Sequence, residues 1–204
     1  MKGEGNPMNV ANWITLARIG LIPLFLLFYQ TYPDWIVAEA PMLRFANEYG
    51  AEVAVLLFVL ASATDKLDGY VARKYNQITN LGKLLDPLAD KLLISAALIM
   101  LVQHHLIPSW MAVIIIGREI MVTGLRLVAS AQGIALAADR FGKWKLVLQV
   151  AAIVIVMVDS RMPFPFPFHG AIDYGVMAAA VGMTVYSGFN YFRSNLHRLH
   201  LGNG

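Results

Sequence analysis

Apolar runs of about twenty residues alternate with short polar stretches along the chain. An α-helix needs a run of about this length to cross the hydrocarbon core of a bilayer. The pattern predicts six such helices, over residues 12–29, 51–74, 81–106, 109–131, 142–158 and 171–192. The sequence therefore predicts an all-α integral membrane protein with six transmembrane helices and with both chain ends on one side.

Composition supports this prediction. Hydrophobic residues make up 58% of the 204 residues and charged residues 14%, whereas a soluble domain is closer to half apolar. The absence of cysteine excludes disulfides and thiolate metal sites. No repeat or second domain is visible, so we expect a single membrane domain over residues 1–204, with residues 1–11 as a cytoplasmic lead-in. The small net charge of +3 gives no reason to expect a nucleic-acid partner.

The distribution of basic residues predicts the orientation of the helices. The presumed outer segments contain only Arg44 and Arg161, and the segment from Gln30 to Gly50 is expected to be one of them. Basic residues cluster on the other side: Arg73, Lys74, Arg140, Lys143, Lys145, Arg193 and Arg198. Because cytoplasmic loops carry the excess of Lys and Arg, both termini are expected in the cytoplasm, with the protein in the inner (cytoplasmic) membrane. A cleaved signal peptide ending near Ala40 is the alternative, and Arg18 in its apolar core argues against it.

Four aspartates stand out in this apolar chain. At helical spacing, one face of the second predicted helix carries Asp65, Asp68, Gly69, Ala72 and Arg73. The third helix begins with Gly82, Asp86 and Asp90 at the same kind of spacing. A polar turn over residues 75–80 makes the two helices an antiparallel hairpin, so we expect the four carboxylates to converge on one cleft near the cytoplasmic end.

Four carboxylates in an apolar medium must be protonated, paired or metal-bound. Lys66 and Lys83 are out of register with the acidic faces and cannot compensate the charge. Oxygen ligands favour hard cations, so the sequence predicts one or two Mg²⁺ (or Mn²⁺) ions and metal-assisted phosphoryl transfer. The alternative of incidental acids at solvated helix ends is disfavoured, since acids in membrane spans are rare and usually functional.

The spacing Asp-x2-Asp-Gly-x2-Ala-Arg-x8-Gly-x3-Asp-x3-Asp, from Asp65 to Asp90, resembles without a gap the signature of the CDP-alcohol phosphotransferases. The resemblance implies a six-helix membrane enzyme, usually a homodimer, that transfers a phosphatidyl or similar group from a CDP-linked donor to an alcohol. It implies that Asp65, Asp68 and Asp86 hold two divalent cations. Asp90, also near a metal, would deprotonate the acceptor hydroxyl. The residues expected to contact CDP are Asp68, Gly69, Ala72, Arg73 and Gly82.

A second group of charged residues suggests the acceptor. Arg118 and Arg126 lie eight residues apart, hence on nearly one face of the fourth helix, and Lys143 and Lys145 open the fifth. Guanidinium groups bind phosphate bidentately, so we expect a pocket for an anionic acceptor such as a phosphorylated polyol. Alternatively, Arg118 forms a structural ion pair with Glu119. That pair would leave Arg126 unexplained.

The run from Arg118 to Leu127, with Lys143 and Lys145, resembles a branch of this family, the bacterial phosphatidylglycerophosphate synthases. So do Asn12, Thr15 and Arg18, expected as possible contacts from the first helix, with Pro23 following them. The resemblance implies CDP-diacylglycerol, in the lipid bilayer, as donor and glycerol 3-phosphate as acceptor, giving phosphatidylglycerophosphate and CMP. Leu146 departs from the branch, which often has threonine there.

Three alternatives stay open from the sequence. The acceptor could be inositol phosphate, serine or phosphatidylglycerol, because the aspartate motif does not specify the alcohol. An ion-coupled transporter would place its acids near the middle of broken helices, whereas these acids cluster at helix ends. A noncatalytic scaffold would require a degenerate motif, and this motif is intact.

Overall fold

The structure, a computed structural model, describes residues 10–38, 40–74, 80–134, 140–160 and 169–195. All regular structure in these ranges is helical: α1 Val10–Tyr29, α2 Asp34–Val37, α3 Pro41–Lys74, α4 Asn80–Gln103, α5 Ser109–Ala131, α6 Arg140–Asp159 and α7 His169–Asn195. The predicted all-α class is confirmed. Each predicted helix has a long counterpart, and the four-residue helix α2 is additional. The chain divides into two compact units, residues 1–100 and 101–204, and a single domain stays a prediction.

The start of α3 corrects the sequence interpretation. The helix begins at Pro41 rather than at Ala51, so the predicted start of the second long helix was wrong. Which side of the membrane residues 41–50 face stays a prediction. Ala46 and Gly50 are buried one turn apart, and charged residues on the exposed face of the same turns obscure this periodicity in the sequence. Proline suits the first turn of a helix because its missing N–H would have no intrahelical partner there.

In the first unit, α1 packs along α3. The Phe25 ring stacks on Tyr29 with the centroids 5.7 Å apart and lies 6.0 Å from the ring of Phe58. At Gly50 the two backbones approach so closely that an added Cβ would lie 2.1 Å from the carbonyl oxygen of Phe28. Glycine at this position therefore permits the close approach of α1 and α3.

The connection after α1 is fastened to α3 by one side chain. The Oδ1 atom of Asn47 accepts a hydrogen bond from the backbone N–H of Tyr32 at 2.9 Å, and Asn47 Nδ2 donates to the Tyr32 carbonyl at 2.9 Å. The Tyr32 hydroxyl donates back to the carbonyl of Leu27 at 3.0 Å. These bonds satisfy backbone groups that the end of a helix leaves without partners.

Among the described residues, one helix is long and apolar enough to cross a membrane, over Pro41–Thr64, and Trp13–Tyr29 is a shorter apolar stretch. In the most apolar 18 residues of the longer segment, only 33% of the residues are buried, unlike the core helix of a soluble protein. Large apolar side chains elsewhere are also exposed, among them Leu60, Ile99, Val113, Leu127 and Phe189. Soluble monomers rarely expose so much apolar surface, so these faces suit lipid. The number of spans and the orientation stay predictions.

In the second unit, α5 and α6 both pack on α7. The buried face of α7 includes Met177, Ala180, Thr184, Ser187 and Tyr191, spaced three or four residues apart. Several of these side chains are small, and small residues let helix backbones approach closely. The helix α5 runs over Ser109–Ala131, as predicted.

Candidate active site

The aspartate motif spans the end of α3 and the beginning of α4, as the sequence predicts. Asp90 is the one motif residue whose side chain lies within the described part, and it is half-buried in α4. The side chains of nine other predicted site residues lie outside the described part: Asn12, Asp65, Asp68, Gly69, Ala72, Arg73, Gly82, Asp86 and Lys143. Among the described side chains, no group of three His, Asp or Glu is placed to hold a metal. The carboxylate cleft stays a prediction.

Arg18 connects α1 to the start of this motif. Its side chain is buried, with 1% relative exposure, and its Nε atom lies 3.4 Å from Thr64 Oγ1. The Thr64 hydroxyl donates its own hydrogen to the Ala61 carbonyl at 2.7 Å, so Oγ1 is left to accept from the guanidinium. Thr15, one turn before Arg18, is also buried. A cation of α1 therefore lies beside the residue that precedes Asp65.

Three charged residues form a second cluster, from α5 and α6. Glu119 Oε1 lies 3.2 Å from Arg118 Nη1 and is also contacted by the Lys145 ammonium. The exposed fractions of the three side chains are 21% for Glu119, 11% for Arg118 and 4% for Lys145. The ion pair considered as an alternative from the sequence is therefore present, and Lys145 belongs to it. Glu119 thus connects a cation of α5 to a cation of α6.

In addition to its contact with Glu119, Arg118 is bound by helix α7. Arg118 Nη2 donates a hydrogen bond to Ser187 Oγ at 2.8 Å. The aliphatic part of the arginine passes over Gly188, where an added Cβ would lie 3.1 Å from Arg118 Cγ. The side chain is thus bound at its tip by a hydroxyl and fits along its stem because the next residue is glycine.

Arg126 has its own partner on α7. Its Nε atom donates to the Tyr191 hydroxyl at 3.2 Å, and its guanidinium carbon lies 5.3 Å from the centroid of the same ring. Tyr191 is buried, with 1% exposure, and Asn195 Nδ2 donates to its carbonyl at 2.9 Å. Arg126 itself is exposed. A fixed aromatic ring therefore supports a guanidinium that solvent or a ligand can reach.

One more polar residue lies close to the cluster. Gln149 follows Lys145 by one turn of α6 and has 1% exposure. Neither its Oε1 nor its Nε2 atom has a hydrogen-bond partner among the described residues. Buried polar groups without partners are uncommon and costly. Gln149 thus adds an unsatisfied amide beside the cationic cluster.

Sequence reasoning missed the partners of the predicted cations. The sequence offers Glu119 only as an ion-pair partner of Arg118 and does not predict its contact with Lys145. Ser187 and Tyr191 were not singled out, although they lie four residues apart, and Asn195 follows at the same interval. Polar residues repeating every four positions in an otherwise apolar helix indicate a buried polar face. That spacing is the signal that could have found them.

Comparison with known proteins gives matches over most of the chain. The sequence model of the CDP-alcohol phosphatidyltransferase family matches residues 8–186. The chain is 46% identical over 200 residues to the CDP-diacylglycerol--glycerol-3-phosphate 3-phosphatidyltransferase of Bacillus subtilis, covering 96% of this chain and 99% of that protein. It is 39% identical over 193 residues to the protein of that name in Pseudomonas fluorescens, covering 92% and 90%. A probable phosphatidylglycerophosphate synthase of Mycobacterium tuberculosis is 36% identical over 193 residues, covering 93% and 82%.

Proposed function

Because the chain belongs to the CDP-alcohol phosphatidyltransferase family, we propose that it transfers the phosphatidyl group of CDP-diacylglycerol to glycerol 3-phosphate. The products are phosphatidylglycerophosphate and CMP. The observation that carries this proposal is the 46% identity, over 96% of this chain and 99% of the relative, with a protein named for that reaction. The motif from Asp65 to Asp90, intact at every specified position, supports the transfer chemistry.

The proposed donor site is the aspartate motif. Asp65, Asp68, Asp86 and Asp90 would hold Mg²⁺ or Mn²⁺, two ions in all, since their ligand atoms are all oxygens and suit a hard cation. When bound, the metal would neutralise charge on the donor diphosphate and on the departing CMP. The resemblance that the motif carries assigns contacts with CDP to Asp68 and to Gly69, Ala72, Arg73 and Gly82.

The proposed reaction is a single displacement at the β-phosphorus of CDP-diacylglycerol. Asp90 takes the proton from the acceptor hydroxyl, the acceptor oxygen forms a bond to the β-phosphorus, and the bond from that phosphorus to the oxygen of CMP breaks. Arg18, beside Thr64, supplies positive charge at the start of the motif.

The proposed acceptor site is formed by Arg118, Arg126, Lys143 and Lys145. Lys145 and Arg118 both contact the carboxylate of Glu119, which brings two cations together. Arg126 is exposed and rests on the ring of Tyr191. A phosphate dianion would be attracted to these cations, and guanidinium groups offer it paired N–H donors.

The membrane arrangement is also part of the proposal. The protein would cross the inner membrane six times, with both termini and the active site on the cytoplasmic side, so that glycerol 3-phosphate arrives from the cytoplasm. The lipid donor would enter from the bilayer. A homodimer is the expected assembly, and cross-linking in detergent or native membranes would test it.

The acceptor is tested by measuring CMP release from the detergent-purified protein with CDP-diacylglycerol and Mg²⁺. Glycerol 3-phosphate, inositol phosphate, serine, phosphatidylglycerol and a reaction without acceptor would be compared. The proposal expects release with glycerol 3-phosphate alone. Release with a different acceptor would retain the family chemistry and refute the acceptor assignment. No release with any acceptor would refute the proposed reaction.

A further inference from the structure

We propose that Ser187, Gly188 and Tyr191 of α7 are positioning residues that set the direction and separation of the two arginines that bind the acceptor phosphate. The inference rests on the proposed function, because it assigns a role to residues that support its acceptor site. It adds residues outside the aspartate motif and outside the cationic set itself. None of the three carries charge, so their effect on an anion must act through Arg118 and Arg126.

The first anchor fixes Arg118. A free arginine side chain has about 2 kcal/mol of rotamer entropy, which it loses whenever its guanidinium is fixed on a ligand. The hydrogen bond from Nη2 to Ser187 Oγ, together with the passage over Gly188, fixes the side chain before any ligand arrives. The contact with Glu119 holds Nη1. Preorganisation of this kind favours ligand binding because the entropy is already lost.

The second anchor fixes Arg126 while leaving it accessible. The Tyr191 hydroxyl accepts from Nε, so this hydrogen bond does not use the two terminal nitrogens. The aromatic ring faces the guanidinium at 5.3 Å, within the range of a cation–π interaction. Tyr191 itself is buried and therefore cannot follow the arginine if it moves. The exposed side chain of Arg126 is thus held by a buried residue and keeps its terminal N–H groups for a ligand.

The spacing of the two anchors suits a compact anion. Arg118 and Arg126 leave α5 eight residues apart, about 12 Å along the helix axis, whereas Ser187 and Tyr191 are four residues apart on α7, about 6 Å. The two anchoring residues are therefore closer together along α7 than the two arginines are along α5. That arrangement brings two guanidinium groups toward one phosphate rather than toward two separate anions. The pair therefore suits a single phosphate group, such as that of the proposed acceptor glycerol 3-phosphate.

Two single substitutions test the inference with minimal change to the fold. Tyr191→Phe removes one oxygen atom and keeps the ring, and Ser187→Ala removes the other anchoring hydroxyl. The matched controls are Tyr174→Phe and Ser194→Ala, which make the same chemical changes at exposed positions of α7. Initial rates of CMP release would be measured while glycerol 3-phosphate and CDP-diacylglycerol are varied in turn, and the melting temperature of each variant would be recorded.

We expect each anchor variant to raise the KM for glycerol 3-phosphate about tenfold, which corresponds to losing one hydrogen bond to a charged group. Each variant also loses a buried hydrogen bond, so its melting temperature should fall modestly. The KM for CDP-diacylglycerol should nevertheless match that of the unmodified protein, and both controls should match it throughout. A merely structural role would raise both KM values together.

Each other outcome overturns the inference. An unchanged KM for glycerol 3-phosphate in Tyr191→Phe, or equal rises in both KM values, would show that α7 does not position the arginines. If Ser187→Ala does not fold, Tyr191→Phe alone decides. If the unmodified protein does not use glycerol 3-phosphate at all, the proposed function fails and the inference fails with it. That result is distinct from an active protein with unaffected variants, which would overturn only the inference.

Discussion

The Nε atom of Arg18 lies 3.4 Å from the hydroxyl oxygen of Thr64, the residue directly before the first aspartate of the motif. Arg18 is almost fully buried. Burying a guanidinium is costly unless negative or polar groups surround it. We therefore interpret Arg18 as a component of the donor site that offsets the negative charge of the aspartates and of the bound diphosphate.

This interpretation makes the first prediction. Arg18→Met should lower kcat/KM for CDP-diacylglycerol at least about tenfold, the effect of losing roughly 1.4 kcal/mol of charge stabilisation. Arg18→Lys keeps the charge and should lose less. Steady-state CMP release measures both, with Arg44→Met, an exposed arginine of α3, as the control. Equal activity of Arg18→Met and the unmodified protein would exclude this role.

The cluster of Glu119, Arg118 and Lys145 makes the second prediction. Glu119→Gln keeps the shape but leaves two largely buried cations without their shared carboxylate, so it should lower the free energy of unfolding by about 3 kcal/mol. Removing Lys145 as well should cost less than the two single changes added together, because the Lys145–Glu119 interaction is then lost only once.

Unfolding in detergent of Glu119→Gln, Lys145→Met and the double variant measures this coupling. Glu52→Gln, at an exposed position of α3, is the control and should change stability little. Strict additivity of the two single changes would mean that the contact between Glu119 and Lys145 contributes nothing.

A third prediction concerns the contact between α1 and α3. Gly50→Ala should destabilise the protein by about 3 kcal/mol, the upper part of the usual range for overpacking, because the added Cβ would meet the Phe28 carbonyl at 2.1 Å. Gly20→Ala is the matched control: nothing lies within 4 Å of its added Cβ, and alanine favours a helix by about 1 kcal/mol. Thermal unfolding should separate the two variants in opposite directions. Similar midpoints would contradict the close approach at Gly50.

Gln149 makes a fourth prediction. Its two polar atoms are buried without hydrogen-bond partners among the described residues, so Gln149→Met, of similar length and flexibility, should stabilise the protein by about 1–3 kcal/mol through relief of desolvation. Gln132→Met, at an exposed position, should leave the melting temperature nearly unchanged. A lower melting temperature for Gln149→Met would show that this amide has a polar partner in the folded protein.

The sequence predicts helices well where local signals are strong. Pro108 precedes Ser109, the first residue of α5, and the apolar run that follows ends at the predicted residue. The start of α3 was misplaced because charged residues on its exposed face interrupt the apolar run. The burial of Ala46 and Gly50 against the rest of the first unit is a tertiary property, and a scan for apolar runs does not detect it.

At the candidate site, too, local sequence signals are recognisable and long-range contacts are not. The aspartate motif is recognisable because its residues lie within a short span at fixed offsets, and the family match confirms the recognition. The residues that anchor the arginines cannot be recognised in this way, because Ser187 lies 69 residues from Arg118 and Tyr191 lies 65 residues from Arg126. Which helix faces α5 depends on packing, and a single sequence does not specify that pairing.

The central claim is that this chain uses the aspartate motif to transfer the phosphatidyl group of CDP-diacylglycerol to glycerol 3-phosphate. The most direct measurement is the amount of phosphatidylglycerophosphate and CMP formed from isotopically labelled glycerol 3-phosphate by the purified protein and by Asp90→Asn. We predict equal amounts of the two products, their loss on chelation of Mg²⁺, and no turnover in Asp90→Asn although that variant still binds the metal. CMP formed without labelled lipid, or full turnover by Asp90→Asn, would contradict the account.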